Sequence, residues 1–391
     1  MPMEFNAHMP VKIVFGAGRI SSLGEIARLY GKRLFIATMK EIVEMGLLKD
    51  GLSSLERSGM DYVLYTDVKP EPKSDDIDSA VDAISDSGCD VVAGVGGGSC
   101  IDFAKALAIC ARHPGKVWSY VNLSNRPPEP VDCSKVLPVI AVPTTAGTGS
   151  EVTPYAVVTN TQTVQKGTIK ESAIFPAVAI VDPELTLSLP TELTASTGID
   201  ALAHAIESYF NASNRTPCSD MIVEESLRWI VRHLPVACRN GNDLRAREGM
   251  AWGSTLAGMA ISQAGTTVAH AMAQPLGARM GLSHSVSVAV FLLSVMRQTL
   301  PEDTGRFARI ARIFGASEDL NEYDLAVKGV DLLERFLVDV GMTPRLSDFG
   351  ADDGLIDGLV EDVTSYMARP LKQHAKVFAR EDLQQIVRMS F

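Results

Sequence analysis

The sequence has few of the features that mark secreted, membrane-bound or nucleic-acid-binding proteins. Its six cysteines show no CxxC spacing, which argues against a disulfide framework and fits reduced thiols in a cytoplasm. No apolar run reaches membrane-spanning length, and no basic stretch followed by an apolar segment opens the sequence. A net charge of −11 disfavours nucleic acid or an anionic membrane as partner. We therefore expect a cytoplasmic protein with a small-molecule substrate.

Internal repeats and low-complexity tracts are also missing, so the length must be explained by ordinary globular structure. At 391 residues, the chain is longer than one hydrophobic core usually supports. We expect a dinucleotide-binding α/β domain over residues 1–183 and a helical metal-binding and substrate domain over residues 184–391. The boundary is placed where short apolar runs give way to long helical patterns.

The first domain is predicted to contain a parallel, Rossmann-like sheet. Short apolar runs alternate with helical patterns such as residues 75–85, as a parallel α/β sheet requires. The predicted strands are residues 33–38, 61–65, 90–95, 139–142 and 178–181. Beyond Pro190 clear strand patterns stop, and residues 219–234 and 243–265 are predicted helices.

A glycine-rich loop follows the third predicted strand. Gly96, Gly97 and Gly98 let the backbone approach a pyrophosphate closely, and Ser99 is expected to cap a helix that runs to Cys110. Asp102, three residues on, resembles the second half of a capping box. A tight strand-to-helix turn without a ligand is the alternative. A second loop rich in hydroxyls and glycine, residues 144–150, favours a dinucleotide.

One aspartate and three histidines in the second half suggest a metal site. Asp200 and His204 are one helical turn apart, and His270 and His284 follow, with Pro275 and nearby glycines expected to interrupt any helix between them. Taken alone, Asp200 and His204 could be an ordinary hydrogen-bonded pair. His270 and His284, each taken singly, could be structural histidines. Together, one carboxylate and three imidazoles suit a borderline divalent cation. A nucleotide loop and a metal site suggest one reaction centre between two domains.

The sequence resembles the iron-containing (group III) alcohol dehydrogenase family over nearly its whole length. The family's nucleotide loop, second cofactor segment and interdomain segment have counterparts in residues 96–105, 143–153 and 181–190. The resemblance implies a dehydroquinate synthase-like architecture. It also implies that one ion, Fe²⁺ with Zn²⁺ as the alternative, is bound by Asp200, His204, His270 and His284.

The resemblance also assigns cofactor and catalytic positions. Gln274 is expected at the catalytic centre, although most members carry a histidine there. The cofactor, NAD or NADP, would contact a larger set: Met39, Gly97, Gly98, Ser99, Asp102, Thr144, Thr145, Thr148, Thr153, Lys166 and Leu185. Met39 replaces an aspartate of many relatives, and Glu71 replaces a common asparagine. Without that acidic group, the choice between NAD and NADP is expected to be relaxed.

The resulting hypothesis is a metal-dependent dehydrogenase that exchanges hydride between NAD(P) and a small primary alcohol or aldehyde. The metal would act as a Lewis acid. A homodimer or higher homo-oligomer is expected. The alternatives are a metal- and NAD-using lyase, a polyol dehydrogenase of the same superfamily, and a non-catalytic nucleotide-binding protein. A lyase acting on a phosphorylated substrate would need a basic pocket, and no dense Lys/Arg cluster accompanies His270 or His284.

Overall fold

The structure, a computed structural model, describes residues 4–317 and 319–391. The chain divides into two compact units. The N-terminal unit is Met9–Ser188, and the helical unit is Leu189–Phe391 together with the segment that ends at His8. The domain boundary expected between residues 183 and 184 lies a few residues before this division and stays a prediction.

A parallel six-stranded sheet forms the centre of the N-terminal unit, with strands in the order β1-β8-β5-β4-β2-β3. A separate antiparallel hairpin is formed by β6 and β7. The strands are β1 Lys12–Phe15, β2 Arg33–Ala37, β3 Asp61–Tyr65, β4 Val91–Gly96, β5 Val139–Pro143, β6 Tyr155–Asn160, β7 Gln165–Lys170 and β8 Val178–Val181. The helices are α1 Leu23–Ala27, α2 Lys40–Glu44, α3 Lys49–Ser58, α4 Ser74–Ser87 and α5 Gly98–Cys110.

Both faces of this sheet are buried, because side chains alternate between two hydrophobic clusters. In β2, Leu34 and Ile36 belong to one cluster, whereas Phe35 and Ala37 belong to the other. Such double burial is typical of parallel sheets with helices on each face. The fold class expected for this half is confirmed.

The helical unit contains no β-strand among its described residues. Its helices are α6 Thr191–Tyr209, α7 Pro217–Arg239, α8 Leu244–Ala264, α9 Val268–Met280, α10 His284–Thr299, α11 Thr304–Ile313, α12 Glu322–Asp339, α13 Leu355–Ser365, α14 Ala368–Leu371 and α15 Arg380–Met389. Helix α6 is buried continuously from Thr194 to Tyr209. A helix surrounded in this way carries any polar side chain directly into the core.

Two local expectations were wrong. Ser99 does not cap α5: the N-cap is Gly97, and Asp102 accepts hydrogen bonds from Ser150 and Val157 rather than closing a capping box. Gly96, at φ 148°, ends the strand early enough for the helix to begin before Ser99. Pro275 lies inside α9 without ending it, since the surrounding residues are buried and packing outweighs one lost backbone donor. The expected interruption between His270 and His284 comes instead from Gly281, the left-handed C-cap of α9.

Two further observations concern helix hydropathy and the cysteines. Within residues 4–317 and 319–391, no helix combines the length and apolar character needed to cross a bilayer. All six cysteines lie in this part of the chain, and all are free thiols.

Candidate metal centre and nucleotide-binding loops

Three helices bring the four predicted metal ligands together. Asp200 and His204 lie on α6, His270 lies on α9, and His284 is the first residue of α10. One potential ligand atom from each residue lies within 4.8 Å of the other three. The side chains of Asp200, His204 and His270 are at most 5% exposed, whereas that of His284 is 22% exposed. The cluster is therefore buried on one side and accessible beside His284.

The distances within the cluster fit a shared cation better than direct hydrogen bonding. Asp200 Oδ1 lies 3.9 Å from His204 Nε2, 3.6 Å from His270 Nε2 and 3.7 Å from His284 Nε2. These separations are too long for hydrogen bonds. Bonds of about 2.1 Å to a tetrahedral ion would place ligand atoms about 3.4 Å apart. Among the described residues, Asp200 Oδ1 and His270 Nε2 are buried without a hydrogen-bond partner. The donor set and these two atoms fit a divalent metal.

The charged groups of the cluster shift one another's pKa values. Burial raises the pKa of Asp200, but the neighbouring histidines outweigh it and hold that pKa below its usual range. Burial lowers the pKa of His270, but Glu207 and Asp200 together raise it to about 9. Below about pH 9 the metal-free His270 therefore carries an extra proton, which a metal must displace. Metal binding is expected to weaken as the pH falls.

Glu207 is a residue of this site that the sequence analysis did not single out. It is fully buried on α6, and one carboxylate oxygen, Oε2, contacts His270 Nδ1. Its other oxygen accepts hydrogen bonds from Ala269 N at 2.7 Å and Thr267 Oγ1 at 3.0 Å. A histidine that donates Nδ1–H to a carboxylate presents the Nε2 lone pair to a metal. The sequence could have suggested Glu207, because it follows His204 by three residues and such residues are neighbours on a helix surface.

Gln274 lies one turn after His270 on α9 and is 8% exposed. Its Oε1 atom is buried and has no hydrogen-bond partner within the described chain. A carboxamide can accept or donate a hydrogen bond but cannot change its protonation state near neutral pH. This position therefore offers a fixed polar group where a histidine would offer a titrating one.

The two predicted nucleotide loops lie against each other in the N-terminal unit. Thr144 N donates to Gly96 O at 2.9 Å, which joins the ends of β5 and β4. A Cβ added to Gly98 would lie 2.6 Å from Thr148 Cγ2, and one added to Gly97 would lie 3.4 Å from Thr145 Cγ2. Glycine is thus required at 98 by the close approach of the second loop. Both loops follow the carboxyl ends of neighbouring parallel strands, where α/β sheets bind ligands.

A buried lysine holds the second loop in place. Lys105 is fully buried on α5, and its Nζ lies 2.6–3.3 Å from five oxygen atoms of Ser150, Thr153 and Tyr155. Burial lowers the pKa of Lys105 to about 8, against the opposing effect of Asp102 and Glu151. Lys105 was part of the quoted nucleotide motif but had no assigned role.

Asp102 belongs to the same network. Its Oδ1 accepts from Ser150 Oγ at 2.5 Å and its Oδ2 from Val157 N at 2.9 Å. Burial raises the pKa of Asp102, although Lys105 and these hydrogen bonds lower it. One oxygen of Asp102 therefore accepts from the second loop and the other from β6, so Asp102 fixes the loop relative to that strand.

Lys166, expected among the residues that contact the cofactor, is buried on β7. Its side chain is 4% exposed, and its Nζ is paired with the carboxylate of Glu71. Glu71 has a left-handed backbone, with φ 57°, and its N–H donates to Ser99 Oγ at 3.2 Å. This conformation is uncommon for a residue with a side chain. The ion pair is thus anchored beside the first nucleotide loop.

The remaining predicted cofactor residues follow other strands of the same sheet. Met39 comes two residues after β2, precedes α2, and is partly buried against the core. Leu185 comes after β8 and is buried in the cluster that includes Val95 and Val142. Strands β8, β5, β4 and β2 are neighbours, so these residues share one edge of the sheet with the glycine loop.

Comparison with known proteins identifies the family. Residues 10–183 match the family model described as iron-containing alcohol dehydrogenase, and residues 194–391 match that described as Fe-containing alcohol dehydrogenase family, C-terminal. The chain belongs to the iron-containing alcohol dehydrogenase family. It is therefore an oxidoreductase of the alcohol dehydrogenase class, and the lyase and polyol dehydrogenase alternatives are not favoured.

Individual relatives agree with this assignment. The chain is 41% identical over 340 residues to long-chain-alcohol dehydrogenase 1 of Geobacillus thermodenitrificans, covering 86% of this chain and 84% of that protein. The archaeal alcohol dehydrogenase ADH/D1 from a Red Sea brine pool, bound to NZQ, superposes with a TM-score of 0.94 at 32% identity, with 100% of both chains covered. Sulfoacetaldehyde reductase from Bifidobacterium kashiwanohense, in complex with NAD⁺, gives a TM-score of 0.88 at 29% identity, covering 100% of this chain and 99% of that one.

Proposed function

We propose that this protein interconverts a small primary alcohol and its aldehyde, using NAD(P) and one divalent metal held by Asp200, His204, His270 and His284. The observation that carries the proposal is the convergence of these four ligand atoms within 4.8 Å. Fe²⁺ is the favoured ion because of the family, and Zn²⁺ accepts the same nitrogen and oxygen ligands.

The bound ion would supply Lewis acidity to the substrate oxygen. The chain's own residues set how strongly it does so. One carboxylate and three neutral imidazoles leave a net charge of +1 around a divalent ion, which favours an anionic oxygen over a neutral one. Glu207 keeps His270 oriented, and the low exposure of Asp200, His204 and His270 restricts water to the side of His284. Gln274 cannot take up the proton that oxidation releases, so that proton leaves by another route.

NAD(P) is proposed to bind at the carboxyl edge of the parallel sheet. Gly97, Gly98 and Ser99 would approach the pyrophosphate, and the remaining cofactor residues would complete the site: Met39, Asp102, Thr144, Thr145, Thr148, Thr153, Lys166 and Leu185. The NAD⁺ complex of the sulfoacetaldehyde reductase supports NAD as a cofactor in this fold. Met39 carries no acidic group to repel a 2′-phosphate, which supports use of NADP as well.

A homodimer or larger homo-oligomer in the cytoplasm is the proposed working form. The support is the resemblance to the family and the composition, with free cysteines throughout. Light scattering of the purified protein tests the assembly, and a monomeric mass at micromolar concentration would contradict it.

The decisive experiment is a panel of alcohols and aldehydes assayed with NADH, NADPH and their oxidised forms on anaerobically iron-loaded protein. Steady oxidation of NADH or NADPH by a short-chain aldehyde, dependent on added metal, is the expected result. A protein that binds metal and nucleotide but turns over no aldehyde or alcohol would contradict the proposal.

A further inference from the structure

A chain of buried hydrogen bonds connects the metal cluster to a distant histidine. His374 follows α14 and is 4% exposed. Its Nδ1 lies 2.9 Å from Thr267 Oγ1, and its Nε2 lies 2.9 Å from Thr299 Oγ1. Thr267 Oγ1 also lies 3.0 Å from Glu207 Oε1, and Glu207 contacts His270. Glu207, Thr267 and Thr299 are fully buried.

The direction of each hydrogen bond follows from the number of protons available. The carboxylate of Glu207 can only accept, so Thr267 must donate its single hydroxyl proton to it. The same hydroxyl oxygen can then only accept from His374, which places the proton of that ring on Nδ1. Burial lowers the pKa of His374 to about 4, with Glu207 opposing, so the ring is neutral and its Nε2, 2.9 Å from Thr299 Oγ1, can only accept. The hydroxyl of Thr299 also donates to Val295 O at 2.8 Å, so its one proton is shared between these two acceptors.

We propose that Thr267 and His374 are positioning residues for the metal centre. They hold Glu207 in the one orientation in which it accepts from His270 Nδ1 and leaves His270 Nε2 directed at the ion. The inference rests on the proposed metal site. It adds to that site a supporting network whose last member, His374, lies 104 residues from His270 in the sequence.

The geometry separates this role from simple packing. An apolar side chain could fill the volume of Thr267, but it would leave Glu207 Oε1 with one donor fewer. An apolar side chain in place of His374 would remove the donor that fixes the orientation of the Thr267 hydroxyl. Partners one step removed from a metal ligand commonly change metal affinity by about 10–100-fold. Thr267 contacts Glu207 directly, and His374 contacts Thr267. Substitution of Thr267 should therefore change metal affinity more than substitution of His374.

Metal affinity measured without turnover tests the proposal. Co²⁺ is titrated into the intact protein against a chromophoric chelator, and the visible spectrum of bound Co²⁺ reports its ligand geometry. Thr267→Val should raise the Kd about tenfold, whereas Thr267→Ser, which keeps the hydroxyl, should stay within about twofold. Thr186→Val is the matched control, because it removes a buried hydroxyl that donates to Pro183 O in the N-terminal unit.

The His374 variants distinguish orientation from folding. Asparagine can replace the Nδ1–H donor to Thr267, whereas glutamine places its amide further out. We expect His374→Asn to bind Co²⁺ at least threefold more tightly than His374→Gln. Equal affinities for the two variants, or an unchanged Kd in folded Thr267→Val, would overturn the inference, even if melting temperatures fell. Failure of the wild-type protein to bind Co²⁺ would instead overturn the proposed metal site.

Discussion

The metal cluster and the glycine-rich loops differ in how their polar atoms are satisfied. In the cluster, Asp200 Oδ1 and His270 Nε2 are buried without hydrogen-bond partners among the described residues. In the loops, Lys105 is surrounded by five oxygen atoms, and both oxygens of Asp102 accept hydrogen bonds. An unpartnered buried polar atom destabilises a fold unless a ligand completes it. Asp200 Oδ1 and His270 Nε2 therefore suit a bound cation, whereas the loops satisfy their own polar atoms and keep their shape.

The sharpest test of this difference is a ligand substitution in the cluster. His284→Ala should weaken metal binding at least about 100-fold, because loss of even an outer partner costs about 10–100-fold. The metal-free variant should melt close to the metal-free wild type, since His284 is partly exposed. Metal content by mass spectrometry and melting by circular dichroism measure the two effects. Exposed His8→Ala is the control, and retained metal and turnover in His284→Ala would show that the ligand assignment is wrong.

For the hydrogen-bond network around Lys105, we expect a substitution to lower stability without changing metal affinity. Lys105→Met leaves buried carbonyls of Ser150, Thr153 and Tyr155 without their donor, which should destabilise the protein by about 3 kcal/mol. For a unit of this size, that corresponds to a melting temperature lower by roughly 6–12 °C. Metal affinity of the folded variant should not change. An unaltered melting curve would mean that the network contributes little.

Cofactor binding should be most sensitive where the two loops touch. Gly98→Ala forces a Cβ against Thr148, whose hydroxyl accepts from Ser150 N at 3.2 Å and so cannot turn away freely. Overpacking of this kind costs about 1–3 kcal/mol. We expect NADH affinity, measured by fluorescence, to fall about tenfold. The second change Thr148→Ser should restore part of it, and an equally weak double variant would contradict the steric explanation.

A smaller effect is expected at Met39. Met39→Asp would place a carboxylate two residues after β2, where it can accept hydrogen bonds from an adenosine ribose and repel a 2′-phosphate. The neighbouring Lys40 pairs with Glu44 at 3.3 Å, which reduces its attraction for that phosphate. The ratio of kcat/KM for NADH to that for NADPH should rise about fivefold, a difference of about 1 kcal/mol. A strong wild-type preference for NADH that the substitution leaves unaltered would reject relaxed cofactor choice.

The least disruptive change concerns Gln274. Gln274→His introduces a titrating ring beside the metal ligands without removing any of them. The pH profile of alcohol oxidation should therefore change more than the metal Kd does. Rates measured from pH 6 to 10, with Gln274→Asn as the non-titrating control, test this. Superimposable profiles for histidine and glutamine would place position 274 outside the proton path.

The sequence was most informative where a local pattern determines structure. The strands at 61–65 and 178–181 were predicted with the bounds that the structure gives. Strand β1 and the hairpin of β6 and β7 were missed, although β6 alternates buried and half-buried residues as a strand should. That hairpin lacks the glycine or Asn-Gly turn that makes hairpins easy to recognise. Its turn uses Val164 at φ 52° instead.

The sequence predicted which four side chains the structure brings together, but not the residues that contact them. Asp200 and His204 have a helical spacing that can be read directly, and motif resemblance located His270 and His284. Glu207, Lys105 and His374 contact partners 45–107 residues away in the sequence. Helical spacing places Glu207 near His204, but no local pattern identifies a partner as distant as His270, because that contact depends on how the helices pack. The burial of charged side chains was equally hidden, because nothing in the sequence indicates that the buried side chain of Lys166 pairs with Glu71.

The proposed metal ligands lie on three helices, α6, α9 and α10, and this affects how long the protein survives in a cell. An ion bound to Asp200 and His284 links residues 84 positions apart, so the chain must release it before these helices can separate. Free metal at 1,000 times its Kd would add about 4 kcal/mol to the folded state. Chains made under metal starvation would open more often and reach proteases sooner. Metal supply would then set the abundance of this enzyme as well as its activity.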